Sequence, residues 1–132
     1  MDEFWDRLVA QPVAVLATIG DDGRPHLVPF TFGESAPRQL VSAVDAKPKS
    51  TRRLQRLENI ERDPRVTVLA HEYDSDWTRL WWVRAEGQAE VVDSPPPGAH
   101  RLFDRYPQYL DQTLGPWIVI DVENVAGWSA DG

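Results

Sequence analysis

Residues 13–32 read VAVLATIGDDGRPHLVPFTF. The run 13–19 is β-branched and apolar, the mark of a buried strand. GDDGRP at 20–25 is a turn signal, and HLVPFTF at 26–32 resumes the strand pattern, so the two runs predict a β-hairpin. Pro29 falls inside the second run. Proline has no N–H for a ladder, so it requires an edge, a bulge or a local break there.

The same reading extends outward. GESAPR at 33–38 reads as a further turn and QLVSAVD at 39–45 as a third strand. A turn at Asp63–Pro64 leads into a strand ending near Tyr73, and RLWWVRAEGQAEVV at 79–92 is a long strand with Gly87 as the expected bulge. WIVIDVENV at 117–125 is the last strand. Short helices are predicted at 2–10, about 50–62 and near 99–112. Six strands and three short helices, with hairpin order early and no regular βαβ alternation, predict a mainly β protein: an antiparallel β-barrel with flanking helices.

The 132 residues fit one domain, and 42% hydrophobic content with six Trp supplies a core. A chain this small gains burial by pairing with a second copy. The absence of cysteine excludes disulfides and thiolate metal sites and fits a reducing, cytoplasmic setting. MDEFWDRLVA lacks the basic and apolar regions of a signal peptide, and VAVLA at 13–17 is too short to span a bilayer. A net charge of −7 argues against general nucleic-acid binding.

Against that acidic background stands VDAKPKSTRRLQR at 44–56. It holds both lysines of the chain, Lys47 and Lys49, with Arg52, Arg53 and Arg56, and no acid from Ala46 to Leu57. A charge run is ordinarily a solvated helix face. Here the cations gather where a strand gives way to a helix, whose N–H groups add positive potential. Ser50 and Thr51 add hydroxyls, and either can cap that helix. On its wheel Leu54, Leu57 and Ile60 share one face, and Arg52, Gln55, Arg56 and Asn59 lie opposite. The reading favours a multiply charged anionic ligand.

The tryptophans are the second feature. Trp77 lies in the polar loop DSDWT, and Trp81 and Trp82 are adjacent on one strand, so one faces the core and the other outward. The outward one packs on a partner subunit or on a planar ligand. A flat ligand with an anionic tail would use both features.

Other chemistry finds little support. His26, His71 and His100 have no ligand-like spacing, so no metal site is expected. G-x-S-x-G, G-x-G-x-x-G and Walker patterns are absent. Asp74 and Asp76 read as a solvated loop rather than a working carboxylate pair.

The runs VAVLATIGDDGRPHLVPFTF, LVSAVDAKPKSTRRL, NIERDPRVTVLAHEYDSDWTRLWWVRAEGQAEVV and VIDVENVAGWS resemble the pyridoxamine 5'-phosphate oxidase-like split β-barrel proteins. More narrowly they resemble the actinobacterial flavin/deazaflavin oxidoreductases of group B, which use coenzyme F420. The resemblance spans about residues 4–129. It implies a six-stranded antiparallel split β-barrel and a homodimer with cofactor sites at the subunit interface. It implies that Lys47, Lys49, Ser50, Thr51 and Arg53 hold the cofactor's phosphate and oligoglutamate tail. Val28, Pro29 and Phe30 match the strand beside the deazaflavin ring, Trp77 a loop Trp near it, and Trp82 a position lining the same site in flavin-binding relatives. True pyridoxamine phosphate oxidases carry basic residues on the second strand to hold FMN phosphate. HLVPFTF has none, which favours F420 over FMN and argues against that oxidation. The implied activity is hydride transfer between reduced F420 and a small planar enone, quinone or imine, with no catalytic side chain assigned. The rival expectations are an FMN-binding oxidoreductase and a non-catalytic cofactor- or haem-binding protein.

Overall fold

The computed structural model describes residues 3–45, 54–111 and 114–130. Its elements begin with α1 (Glu3–Val9), β1 (Val13–Ile19), β2 (Pro25–Thr31), β3 (Gly33–Ala36), β4 (Gln39–Asp45) and α2 (Gln55–Arg62). They continue with β5 (Arg65–Glu72), a 3₁₀ turn (Trp77–Arg79), β6 (Trp81–Val92), α3 (His100–Arg105), a second 3₁₀ turn (Pro107–Asp111) and β7 (Leu114–Ser129). The described strands form one antiparallel sheet in the order β2-β1-β5-β6-β7-β4-β3. No described helix is long and apolar enough to cross a membrane.

The hairpin of residues 13–32 forms as read, in register from Val13↔Thr31 to Ile19↔Pro25. Among the described strands β2 ends the sheet and pairs only with β1, so Pro29 sits on an edge, where its missing N–H costs no ladder bond. β4 also has the predicted bounds.

The sheet departs from the six-strand expectation by one strand. GESA, read as a turn, is β3, and only Pro37–Arg38 turns. The residues are turn-like because they are small. Their smallness is what lets α3 approach. Gly33 and Ser35 are the buried positions of β3, a Cβ at Gly33 would lie 3.8 Å from the Leu102 side chain, and a Cβ at Gly98 would strike the Ser35 carbonyl. The final strand also outruns its predicted bounds, Leu114–Ser129 rather than 117–125.

Helix α2 starts at Gln55 with Leu54 as an extended N-cap and no side-chain cap, which corrects the predicted start near 50. Ser50 and Thr51, the predicted caps, lie outside the described residues. Leu57 and Ile60 enter the core as read, but Asn59 is not on the solvent side: it is fully buried. Its Nδ2 donates to Thr18 Oγ1 at 3.0 Å, and its Oδ1 accepts from Gln55 Nε2 at 2.8 Å and Arg62 Nη2 at 3.0 Å. A buried amide so satisfied pins α2 to β1.

Two clusters make the interior. The larger fills the barrel with Leu16, Phe30, Phe32, Leu40, Val68 and Ile118, capped by Trp5 and Leu8 of α1 and Leu57 and Ile60 of α2. The smaller joins α3 to β4 and β7 through Val41, Ala43, Leu102, Tyr106 and Trp117.

At Gly87 the β6–β7 register steps, Glu86↔Asn124 being followed by Gly87↔Val122. The bulge is where the sequence placed it, but the extra residue, Glu123, belongs to β7. A Cβ on Gly87 would collide with the Asp121 carbonyl oxygen and lie 2.9 Å from Val122 Cα. Gly87→Ala is therefore expected to cost about 3 kcal/mol, from the usual penalty of overpacking against an unyielding backbone. Urea unfolding measures it, and a wild-type midpoint would show that the two strands are not in such close approach.

Candidate functional site

β2 and β3 are separated by Phe32 alone, yet they occupy opposite ends of the sheet. The chain therefore turns a corner at Phe32, and β2 passes β4 without a described ladder between them. The backbone groups at that corner are met by side chains. The Ser42 hydroxyl donates to the Thr31 carbonyl at 2.7 Å. Arg105 donates to the Phe32 carbonyl at 2.9 Å and to the Gln11 carbonyl. The Tyr106 hydroxyl accepts from the Phe32 N–H at 3.4 Å and donates to the Pro12 carbonyl. Buried backbone polar groups must be paired, and here α3 and β4 supply the partners that a closed ladder would have supplied.

Where β2 and β4 fail to pair, a cleft of about 310 Å³ opens. Pro29, Phe30 and Thr31 form one wall and Ser42, Ala43 and Val44 the other. Leu54 and Arg56 lie at one end, and Val13 and Tyr109 complete the lining. The hydroxyl oxygens of Tyr109 and Thr31 are 2.6 Å apart, and the Tyr109 ring meets that of Tyr106 edge-on at 5.8 Å. Two mainly apolar walls suit a flat ring, and Arg56 supplies a cation for an acidic group. The residues thus fit a planar anionic cofactor of the flavin type.

Of the residues singled out from the sequence, Pro29 and Phe30 line the cleft. Val28 does not; it packs against the main core. Lys47, Lys49, Ser50, Thr51 and Arg53 lie outside the described residues, but Val44 and Leu54, which flank that segment, both line the cleft. Trp81 is buried, donates to Glu72 Oε1 at 3.2 Å, and carries Arg7 over its ring. Trp82 faces outward under Arg84, in a cross-strand row with His71 and Trp128. Trp77 is 76% exposed. Within one chain neither Trp77 nor Trp82 reaches the cleft. Asp74 and Asp76 hold their loop as turn acceptors. The Asp76 N–H lowers the pKa of Asp74, and the Thr78 hydroxyl and N–H lower that of Asp76, so both stay ionised and serve as scaffold. Among the described residues no group of His and acids is arranged to hold a metal ion.

Sequence reasoning passed over Thr31, Ser42 and Tyr109. The first two left a signal: each is a hydroxyl set in an apolar strand, where an unexplained polar residue marks a specific partner. Tyr109 left none.

The chain matches the pyridoxamine 5'-phosphate oxidase family over residues 1–129. It belongs to that family. Solved structures with the same fold include the conserved protein Rv2991 of Mycobacterium tuberculosis, at TM-score 0.73 and 26% identity, covering 97% of this chain and 83% of that one. They include an F420 reductase, at TM-score 0.62 and 22% identity, covering 92% and 94%. They also include HutZ, the haem storage protein of Vibrio cholerae, at TM-score 0.68 and 13% identity, covering 99% and 95%. Family and neighbours agree on a PNPOx-like split barrel, which the described sheet of seven strands realises without closing.

Tyr106 is the residue on which the corner turns, and burial holds its phenol pKa above the usual tyrosine range, against the Phe32 bond and the Arg105 charge. Such a group adds stability that is fully present below about pH 10 and is lost as pH rises through the raised folded value. Tyr106→Phe is expected to cost about 1–3 kcal/mol at neutral pH and to flatten the loss of stability above pH 10. Unfolding midpoints across alkaline pH measure both; an unchanged alkaline slope would contradict the assignment.

Proposed function

We propose that this protein is an F420-dependent oxidoreductase that reduces a small planar organic molecule. The observation that carries the reading is the position of the cleft. A flat, mainly apolar slot is flanked, at Val44 and Leu54, by the two ends of the segment that holds both lysines of the chain. A ring with a long anionic tail matches that pairing of an apolar slot with a cationic strip. One neighbour on this fold is an F420 reductase, so the architecture accommodates the chemistry.

In this reading Pro29, Phe30, Ala43 and Val44 flank the ring and Val28 supports the strand behind it. Lys47, Lys49, Ser50, Thr51 and Arg53 hold the phosphate and oligoglutamate tail, with Arg56 at the cleft's end. Two copies of the chain form a homodimer, and Trp77 and Trp82, which the single chain leaves outside its own cleft, serve the cleft of the partner. When bound, the reduced deazaflavin supplies a hydride. The protein excludes water with the apolar walls and orients the acceptor. An enone, a quinone or an imine has the required electrophilic carbon.

Fluorescence titration with F420, and separately with FMN, tests the reading. F420 should bind more tightly than FMN. Lys49→Ala should weaken it about tenfold, the loss of one charge-assisted hydrogen bond, and added salt should weaken it further. Tighter binding of FMN, or indifference to Lys49→Ala, would reassign the cofactor.

A further inference from the structure

The described lining of the β2–β4 cleft carries four polar side chains, Thr31, Ser42, Arg56 and Tyr109. Ser42 has spent its hydrogen on the Thr31 carbonyl. The hydroxyls of Thr31 and Tyr109 lie 2.6 Å apart, and among the described residues neither has another side-chain or backbone partner. Two hydroxyls that share one hydrogen bond have one hydrogen left over. When Thr31 donates to Tyr109, the remaining hydrogen is the phenol's, on a residue that lines the cleft. Tyr109 is half-buried, so water takes this hydrogen in the open cleft. A ligand that fills the cleft and excludes that water must supply an acceptor in its place, since burying the donor unpaired is costly.

We propose that the Thr31–Tyr109 pair is the cleft's oxygen-binding point, that Tyr109 is the proton donor of the reaction, and that the substrate is a conjugated carbonyl compound, an enone or quinone. The inference rests on the reductase reading above and names the substrate class of the same site. A phenol is the right donor, because it gives up a proton far more readily than the aliphatic hydroxyl beside it. A carbonyl oxygen is the right acceptor, because it takes a hydrogen bond and becomes anionic on reduction. Tyr109 is held by its edge-on contact with Tyr106, itself anchored to Pro12 and Phe32, so the corner that opens the cleft also aims its donor.

For an enone the step balances as follows. The β-carbon gains a hydride, with both electrons, from the reduced flavin-type carrier, and a new C–H bond forms. The C=C pair shifts toward the carbonyl carbon, and the C=O π pair moves to oxygen. The Tyr109 O–H bond breaks, and its proton passes to that oxygen to give the enol, which becomes the ketone in water. The Thr31 hydroxyl hydrogen bonds the phenolate until water returns the proton. The substrate is reduced and the carrier oxidised by two electrons each.

The first test needs no cofactor. 4-Nitrophenol mimics the enolate, with one anionic oxygen on a flat ring, and its absorption reports the phenolate. The wild-type protein should bind 4-nitrophenolate. Tyr109→Phe and Thr31→Val should each weaken binding at least tenfold, and Thr31→Ser, which keeps the hydroxyl, should recover it relative to Thr31→Val. In the second test, turnover of cyclohexenone at saturating reduced F420, Tyr109→Phe should be slower by about a hundredfold, the usual worth of a positioned acid. No phenolate binding by the wild type, or equal binding by wild type and Tyr109→Phe, overturns the proposal whatever the cofactor result. Phenolate binding that depends on Tyr109, in a protein that binds neither F420 nor FMN, upholds the oxygen-binding point and removes the reductase reading.

Discussion

Thr31 and Phe32 carry backbone groups that no described strand takes up, and three side chains take them instead. Ser42, Arg105 and Tyr106 meet the Thr31 carbonyl, the Phe32 carbonyl and the Phe32 N–H. This substitution lets one stretch of chain serve both ends of the sheet. β2 leaves β1 on one edge, Phe32 turns the corner, and β3 joins β4 on the other. Were those groups unpaired, the cost of burying them would favour direct pairing of β2 with β4. The ladder would close and the cleft would vanish. The second core cluster exists to keep Arg105 and Tyr106 in place, and the small residues Gly33, Ser35 and Gly98 exist to let α3 come close enough.

The charge distribution follows the same geometry. The chain carries a net −7, which would repel an anionic ligand at long range. At physiological salt, exposed charges more than about 8 Å apart are largely screened, so the ligand answers mainly to charges near it. The segment that holds both lysines attaches at Val44 and Leu54, on the cleft's own lining. Asn59 fixes α2, and with it Leu54 and Arg56, against β1. Some of the acids elsewhere are occupied locally: Asp63 is held to a pKa of about 2 by the side chain and N–H of Arg65, and Asp74 and Asp76 brace their loop. Acidity overall and anion binding locally are thus compatible.

Much of the barrel was legible in the sequence because strand signals are local. The hairpin of 13–32 and the strand 39–45 follow from β-branched runs between turn residues, and Pro29 left an edge as one of three readings for β2, with a bulge and a local break. β3 was not legible, since its small residues have little strand preference of their own and are held by α3, which lies far along the chain. Asn59 was misplaced because a helical wheel sorts by polarity and knows nothing of Thr18 waiting inside. The bulge was legible at Gly87 but not its side, because the register belongs to two strands at once. The cleft was hardest of all. It arises from a pairing that does not occur, between residues joined only through the folded core, and only the stray hydroxyls of Thr31 and Ser42 hinted at it. The cationic segment was plain as charge, but that Val44 and Leu54 on either side of it line the cleft was not.

The central claim is that ligand enters where β2 and β4 part. Amide chemical shifts during an F420 titration test it most directly. The account requires the largest changes at Phe30, Thr31, Ser42, Ala43 and Val44, with Tyr109 moving alongside them. Changes confined to other surfaces, with those amides unmoved at saturation, would contradict it.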